Sequence, residues 1–268
     1  MTVSRYEFEP EAPRAPSEAQ WASMTEAERA AVVAMLPSEV PRSTAPEGDR
    51  HQIPKKSALE QLRDWFRRHG RSVYLSAELP VYYPGEELFA PDVIAVLDVE
   101  PHPRDKWVVS VEGRGLDFVL EVHVRGNAKK DREDNVIRYA KLAIPEYFLF
   151  EPLHQRLVGY RLEEGKQSYV PIVPQAGRWS SQVLGLDLAM EGGKVRFFSG
   201  AAPLPDAEEL IVRLDEMVNA QVVGALERER ELLAQLEDEQ RAREREQARA
   251  DQLAAKLRAL GVDPDALD

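Results

Sequence analysis

Residues 116–124 read LDFVLEVHV, and this run constrains the fold more than any other stretch. Val119, Leu120, Val122 and Val124 are strong strand formers, and they fall on both alternating sets of positions. A strand of this kind has no polar face to turn to water, so it belongs inside a sheet that is covered on both sides. Glu121 breaks the run. A lone carboxylate there is costly to bury. Either it lies at a strand end or beside a basic partner, or the strand holds it up to a metal ion.

The covering layers can be read on either side. KKSALEQLRDWFRRHG places Leu59, Leu62 and Phe66 at helical spacing and ends at Gly70, a helix C-terminal signal. Strand-like runs follow at 72–79, 91–99 and 107–111, ahead of the central run. A second helix is expected from about Asp131 to Ala143, with Val136, Tyr139, Ala140 and Ala143 on one face. After Pro145 comes the short apolar strand EYFLF. Residues 156–162, 167–173, 183–190 and 194–198 alternate like antiparallel strands, with EEGK and EGGK as turns. Helix, three or four strands, helix, strand and a β extension describe an α/β or α+β domain around a mixed central sheet.

Both flanks differ from this middle, which divides the chain into 1–50, 51–204 and 205–268. The first segment carries Pro10, Pro13, Pro16, Pro37, Pro41 and Pro46 and reads as an arm with little core of its own. Inside it, Thr25 and Glu28 form a capping-box pattern, which predicts a helix over 26–36 that docks through its Ala, Val and Met face. From Pro205 one long helix is expected to about Leu260. Leu232, Leu236, Ala250, Leu253, Leu257 and Leu260 fit a heptad seam, interrupted by Glu239, Arg243 and Glu246. That pattern points to a coiled coil and hence to a homo-oligomer.

Composition closes off several classes of function. There is no cysteine, which excludes disulfides, thiolate metal sites and a thiol nucleophile. No uninterrupted apolar run reaches the length of a membrane span, and the first residues lack a signal-peptide core, so a cytoplasmic protein without a membrane partner is expected. A formal net charge of −12 argues against binding nucleic acid through bulk charge, though not through a local basic site. There is no HExxH, no GxSxG and no glycine-rich phosphate loop.

The carboxylates are the chemical signal. Asp92 opens the apolar run PDVIAV, upstream of Glu121. Taken alone it reads equally as a turn residue after Pro91. An Asp at one strand start and a Glu on a neighbouring strand can converge as hard oxygen ligands, which suits Mg²⁺. Glu60 on the first core helix is a candidate third acid. His123, on a buried strand, reads more simply as a hydrogen-bonded core residue than as a ligand.

The order of these elements, with PD on one strand and an acid on a later one, resembles the PD-(D/E)XK nuclease superfamily. It is more closely similar to the Uma-type family of bacterial putative restriction endonucleases, through His51, PDVIAV, LEV, the spacing from Asp131 to Tyr139, and IPEYFLFEP. The resemblance covers roughly residues 50–200. It implies a restriction-endonuclease-like fold and a metal-dependent endonuclease, with Asp92 and Glu121 holding Mg²⁺ (or Mn²⁺) and nucleic acid, DNA first, as substrate. The superfamily's lysine two residues after the Glu is here His123, and the family's lysine four residues after Asp131 is here Asn135. Lys130, or Lys129, is the nearest substitute, and Asp131 joins the catalytic set while also fitting a helix N-cap. Arg125, Lys129 and Arg132 form a basic cluster for phosphate contacts. The displaced lysine leaves a second reading, an inactive nuclease-like domain that binds or scaffolds and is assembled by the C-terminal helix.

Overall fold

The computed structural model describes residues 5–39, 48–126 and 129–260. Pro41, Pro46 and the residues after Leu260 lie outside them. In chain order the elements are α1 (Glu18–Ser23), α2 (Glu26–Met35), α3 (Asp49–Arg68), β1 (Val73–Ser76), β2 (Val81–Tyr82), β3 (Val93–Leu97), β4 (Trp107–Val108), α4 (Val109–Glu112) and β5 (Phe118–Val122). A π-helical turn, Lys130–Asp134, leads into α5 (Asn135–Lys141). Next come β6 (Glu146–Glu151), β7 (Arg156–Leu162), β8 (Tyr169–Ile172), β9 (Trp179–Ser181), β10 (Leu186–Glu191), β11 (Lys194–Ser199), β12 (Ala202–Pro203) and α6 (Ala207–Ala259).

The apolar run is the strand β5, inside a six-stranded sheet of order β1-β3-β5-β6-β7-β8. It pairs antiparallel with β3 and parallel with β6, so the sheet is mixed. Alternation along its strands sends side chains into two cores. Val93, Ala95, Phe118, Leu120, Val122, Phe148 and Phe150 face Ala58, Leu59, Leu62 and Phe66 of α3. Ile94, Val96, Val119, Tyr147 and Leu149 face the other way, toward Val81, Phe89, Trp107, Tyr139 and Ile144. This explains why the sequence of β5 shows no alternation: both sides are dry.

The β extension is a second sheet, β12-β11-β10-β9, whose Leu186, Leu188, Val195 and Phe197 enter the same core as α3. Two buried polar residues fasten it. Gln61 of α3 accepts from the Phe197 N–H at 3.2 Å and donates to the Val195 carbonyl at 3.4 Å. Glu146 of β6 accepts from Arg161 at 3.0 Å and from the Gln182 N–H at 2.9 Å, and also bonds Ser181.

Several boundaries differ from the sequence reading. The run at 107–111 is a strand only as far as Val108; Val109–Glu112 turns into a helix closed by Gly113 in the left-handed conformation, φ 69°. The first core helix begins at Asp49 and carries Pro54 inside it. The arm docks as expected, with both capping boxes formed, but through Val32 and Leu36 against Tyr82 and Val108, while Met35 stays exposed. α1 was not among the expected helices, although Ser17 followed by Gln20 carries the same capping-box signal that announces α2.

Residues 1–207 and 208–268 form two separate units. In the second, α6 is a continuous helix of 53 residues. Ile211, Leu214, Val218, Val222 and Leu226 recur along it at the spacing of one helical face, and each is more than half exposed. Further along, Arg241 bonds Glu237 at 3.3 Å, an i,i+4 pair. Among the described residues no helix is long and apolar enough to cross a membrane.

Candidate active site

Asp92 and Glu121 meet at the end of the β3–β5 ladder. The register pairs Val93 with Leu120, and one step further it sets Asp92 opposite Glu121. There the side chains take over from the backbone. The Asp92 N–H donates to Glu121 Oε2 at 3.1 Å, and the Val122 N–H donates to Asp92 Oδ2 at 2.7 Å. Pro91 places no N–H just before the pair, and its carbonyl accepts from the Glu78 N–H at 3.0 Å. Both carboxylates are buried, at 9% and 7% exposure.

Each has its own set of partners. Asp92 faces α3: His51 Nε2 lies 3.1 Å from its Oδ2, and Lys55 Nζ lies 3.5 Å from its Oδ1. His51 and Lys55 stand one turn apart on that helix, so a single face delivers both. Lys55 also pairs with Glu78, a residue in the left-handed region at φ 52°. A non-glycine residue holds that conformation at some cost, here fixed by the bond to Pro91.

Glu121 faces α5. Tyr139 Oη donates to Glu121 Oε1 at 2.6 Å, and Asn135 Nδ2 lies 3.5 Å from the same oxygen. Asn135 also donates to Asp131 Oδ1 at 3.1 Å, and His123 Nδ1 is 2.8 Å from Asp131 Oδ2. Tyr147 Oη donates to the Asp131 carbonyl at 2.8 Å. Asp131, Asn135 and Tyr139 are therefore successive turns of one face. The π-helical start sets Asp131 and Asn135 within reach of one another and of β5.

The two carboxyls are pushed in opposite directions. Burial pushes Glu121 up, the neighbouring Asp92 charge adds to this, and although Tyr139 opposes it the group reaches about 8. Burial also works on Asp92, but the His51 hydrogen bond, the charges of His51 and Lys55 and the Val122 N–H outweigh it and hold the group below its ordinary value.

The remaining expected residues fall as follows. Glu60 pairs with Lys56 at 3.8 Å on the outer side of α3. Five residues beyond Lys55, it is rotated about 140° around the helix from the face that meets Asp92. That helix brings a histidine and a lysine to the carboxylates in place of a third acid. Arg132 is bound to Glu151, a carboxylate with no exposure, at 2.9 Å and 2.5 Å, and Arg156 reaches the same group at 3.4 Å. Arg125, Lys129 and Lys130 are exposed. Lys55, Glu78, Asn135 and Tyr139 were not in the expected set. A signal for Lys55 existed: with Leu59, Leu62 and Phe66 it keeps the 4, 3, 4 spacing of the apolar stripe.

Among the described residues no three His, Asp or Glu side chains are arranged as a metal cage. Mg²⁺ does not require one, since it is commonly held by one or two carboxylates, with water and phosphate oxygens completing the shell. Two adjacent hard-oxygen donors, one of which resists ionisation because it is buried beside the other's charge, fit such an ion.

A family model described as Uma2, putative restriction endonuclease, matches residues 28–191, more than half of the chain. Among solved structures the chain is similar to a putative nuclease belonging to DUF820 from Anabaena variabilis ATCC 29413, at 15% identity and a TM-score of 0.38, over 49% of this chain and 74% of that one. No curated protein matches the chain.

Proposed function

The chain belongs to the Uma2 family of putative restriction endonucleases, and from that premise we propose that it hydrolyses phosphodiester bonds of nucleic acid, DNA first, at a divalent metal held by Asp92 and Glu121. The observation that carries this reading is the pairing of those two carboxylates, buried and directly opposite one another at the end of the β3–β5 ladder. A structural explanation would need only one acid there, matched to the cations of α3. A second acid, forced to sit beside the first, is chemistry the fold alone does not call for.

Bound between these groups, Mg²⁺ or Mn²⁺ would polarise the phosphate and lower the pKa of the attacking water. The chain's own residues do the positioning. Tyr139 and Asn135 hold Glu121 in one rotamer, and the Val122 N–H and His51 do the same for Asp92. Asp131, clamped by His123 and Asn135, adds a further carboxylate near Glu121. Arg125, Lys129 and Lys130 are exposed on the segment leading from β5 to α5, where they can meet the phosphate backbone without reading sequence. Arg132 serves instead to neutralise Glu151, which fixes the turn that carries Asp131.

The second unit supports a further part of the proposal. The exposed apolar face of α6 assembles copies of the chain through that helix.

The test is an assay of the purified protein on plasmid DNA, single-stranded DNA and RNA with Mg²⁺, Mn²⁺ or chelator. Cleavage that needs the metal and disappears in Asp92→Ala and Glu121→Ala is expected. Metal-independent cleavage, or full activity in both variants, would refute the assignment. No cleavage of any substrate would instead favour the inactive, scaffolding reading.

A further inference from the structure

We propose that Lys55 of α3 supplies the cation that faces the phosphate during cleavage, the task that the sequence pattern gives to a lysine on β5 or α5. The inference rests on the nuclease reading above. Those two pattern positions hold His123 and Asn135, and both are engaged with Asp131. Lys55 approaches the carboxylates from the opposite side. Its Nζ is 3.5 Å from Asp92 Oδ1 and is paired with Glu78, and its side chain is only 5% exposed.

Three features separate it from an ordinary surface lysine. Its stem lies on the inward stripe with Leu59, Leu62 and Phe66, so packing fixes where the ammonium stands. An aliphatic residue would fill that stripe without the desolvation cost of a charge, so a buried ammonium there calls for a reason beyond packing. Its two carboxylate partners also differ in exposure: the Asp92 side chain is 12% exposed and the Glu78 side chain 39%. The ammonium thus spans from the buried pair toward the more open side, where a phosphate would enter. Lys130 contrasts with this. It is exposed, and among the described residues no hydrogen bond or ion pair joins it to Asp92 or Glu121.

The step balances without a redox partner. A water oxygen forms a bond to phosphorus, one phosphorus–oxygen ester bond breaks, water releases a proton to solvent base, and the departing oxygen takes one up. Lys55 stays protonated throughout. Its N–H groups exchange Glu78 for the non-bridging oxygen on which negative charge grows, and the packed stem keeps the movement this needs small.

The experiment compares full-length wild type, Lys55→Ala, Lys55→Arg and Lys130→Ala, using whichever of plasmid DNA, single-stranded DNA or RNA the wild type cleaves. Single-turnover cleavage with Mn²⁺ and calorimetric titration of Mn²⁺ alone are both read. Lys55→Ala is expected to slow cleavage by about a hundredfold or more, the scale of losing one stabilising donor. Its Mn²⁺ affinity should stay equal or rise, because a repelling charge has left Asp92. Added methylamine should restore part of the rate and Lys55→Arg should keep more activity than Lys55→Ala, whereas Lys130→Ala, which removes a phosphate-backbone contact, should raise the protein concentration needed for half-maximal cleavage more than it lowers the rate at saturating protein. Cleavage by Lys55→Ala within about threefold of wild type would overturn the proposal. So would a hundredfold loss of the rate at saturating protein that is confined to Lys130→Ala. Loss of Mn²⁺ binding together with cleavage in Lys55→Ala would make the lysine a structural support for Asp92 and would equally overturn it. If Lys55→Ala does not melt cooperatively, Lys55→Met keeps the stem and is judged by the same outcomes. A wild type that cleaves none of the substrates refutes the nuclease reading and this inference with it, whereas an active wild type with an unimpaired Lys55→Ala refutes this inference alone.

Discussion

Replacing Glu121 with glutamine should remove most of the pH dependence of the metal-free protein's stability above pH 5. Glu121 is raised from an ordinary 4.5 to about 8 by burial first and by the Asp92 charge second. The folded state therefore holds a proton that the unfolded chain gives up at much lower pH. Its contribution is fully present below the ordinary value and is lost as pH rises through 4.5 toward 8. One such group gives a slope of at most about 1.4 kcal/mol per pH unit inside that window. Asp92 works in the opposite sense. Held below its ordinary value, it contributes stability that is lost only as pH falls through its own, lower range. The Asp92 window lies below pH 5, and Asp117, also raised by burial, adds a slope of the same sign as Glu121, so the part carried by Glu121 is the part that Glu121→Gln removes. A glutamine side chain in its place would keep the shape and the contact with Tyr139 but could not ionise. Urea unfolding in chelator, from pH 5 to 8.5, should show wild type losing stability with rising pH and Glu121→Gln losing markedly less. Equal slopes in the two proteins would mean that Glu121 ionises as an ordinary carboxylate and that burial beside Asp92 does not govern it.

Tyr139→Phe deletes the 2.6 Å donor to Glu121 Oε1 and leaves a buried acceptor short of a partner, so it should cost about 1–3 kcal/mol in the same urea measurement. An unchanged midpoint would show that the contact is not maintained. Gly159→Ala would place a methyl group 2.6 Å from Phe148 Cε1 and 3.1 Å from Ile172 Cδ1, for an expected loss of about 1–3 kcal/mol, and a neutral result would contradict the packing of β7 on β6. Ending the chain after Ala207 removes the apolar face of α6 and should reduce an oligomer to a monomer in light scattering. The same stoichiometry with and without α6 would give the helix another role.

What the sequence conveyed depended on how local the cause was. The unbroken apolar pattern of β5 placed it between two cores, and Asp92 and Glu121, expected to converge from neighbouring strands, stand opposite because β3 pairs antiparallel with β5 while β4, between them in the chain, joins β2 in another sheet. The short arm helix was legible from Thr25 and Glu28, whose capping box is formed within a single turn. Long-range partners were less visible. Lys55 looks like half of an exposed Lys-Lys pair until α3 is started at Asp49, which the internal Pro54 discourages. Once it is, Lys55 falls on the buried stripe and Glu60 on the outside. Arg132 looked available to phosphate because nothing near it in sequence announces Glu151, whose burial depends on β6 lying beside β5. The change from strand to helix after Val108 was not legible either: Val109 and Val111 favour a strand, but the chain turns into α4 and closes at Gly113 in the left-handed conformation.

The central claim is that Asp92 and Glu121 share one divalent ion, and calorimetric titration of the full-length protein with Mn²⁺ at pH 8 addresses it most directly. Wild type should show a single site, and that site should vanish in both Asp92→Asn and Glu121→Gln while each variant still unfolds cooperatively. Undiminished Mn²⁺ binding in the two folded variants would contradict the claim.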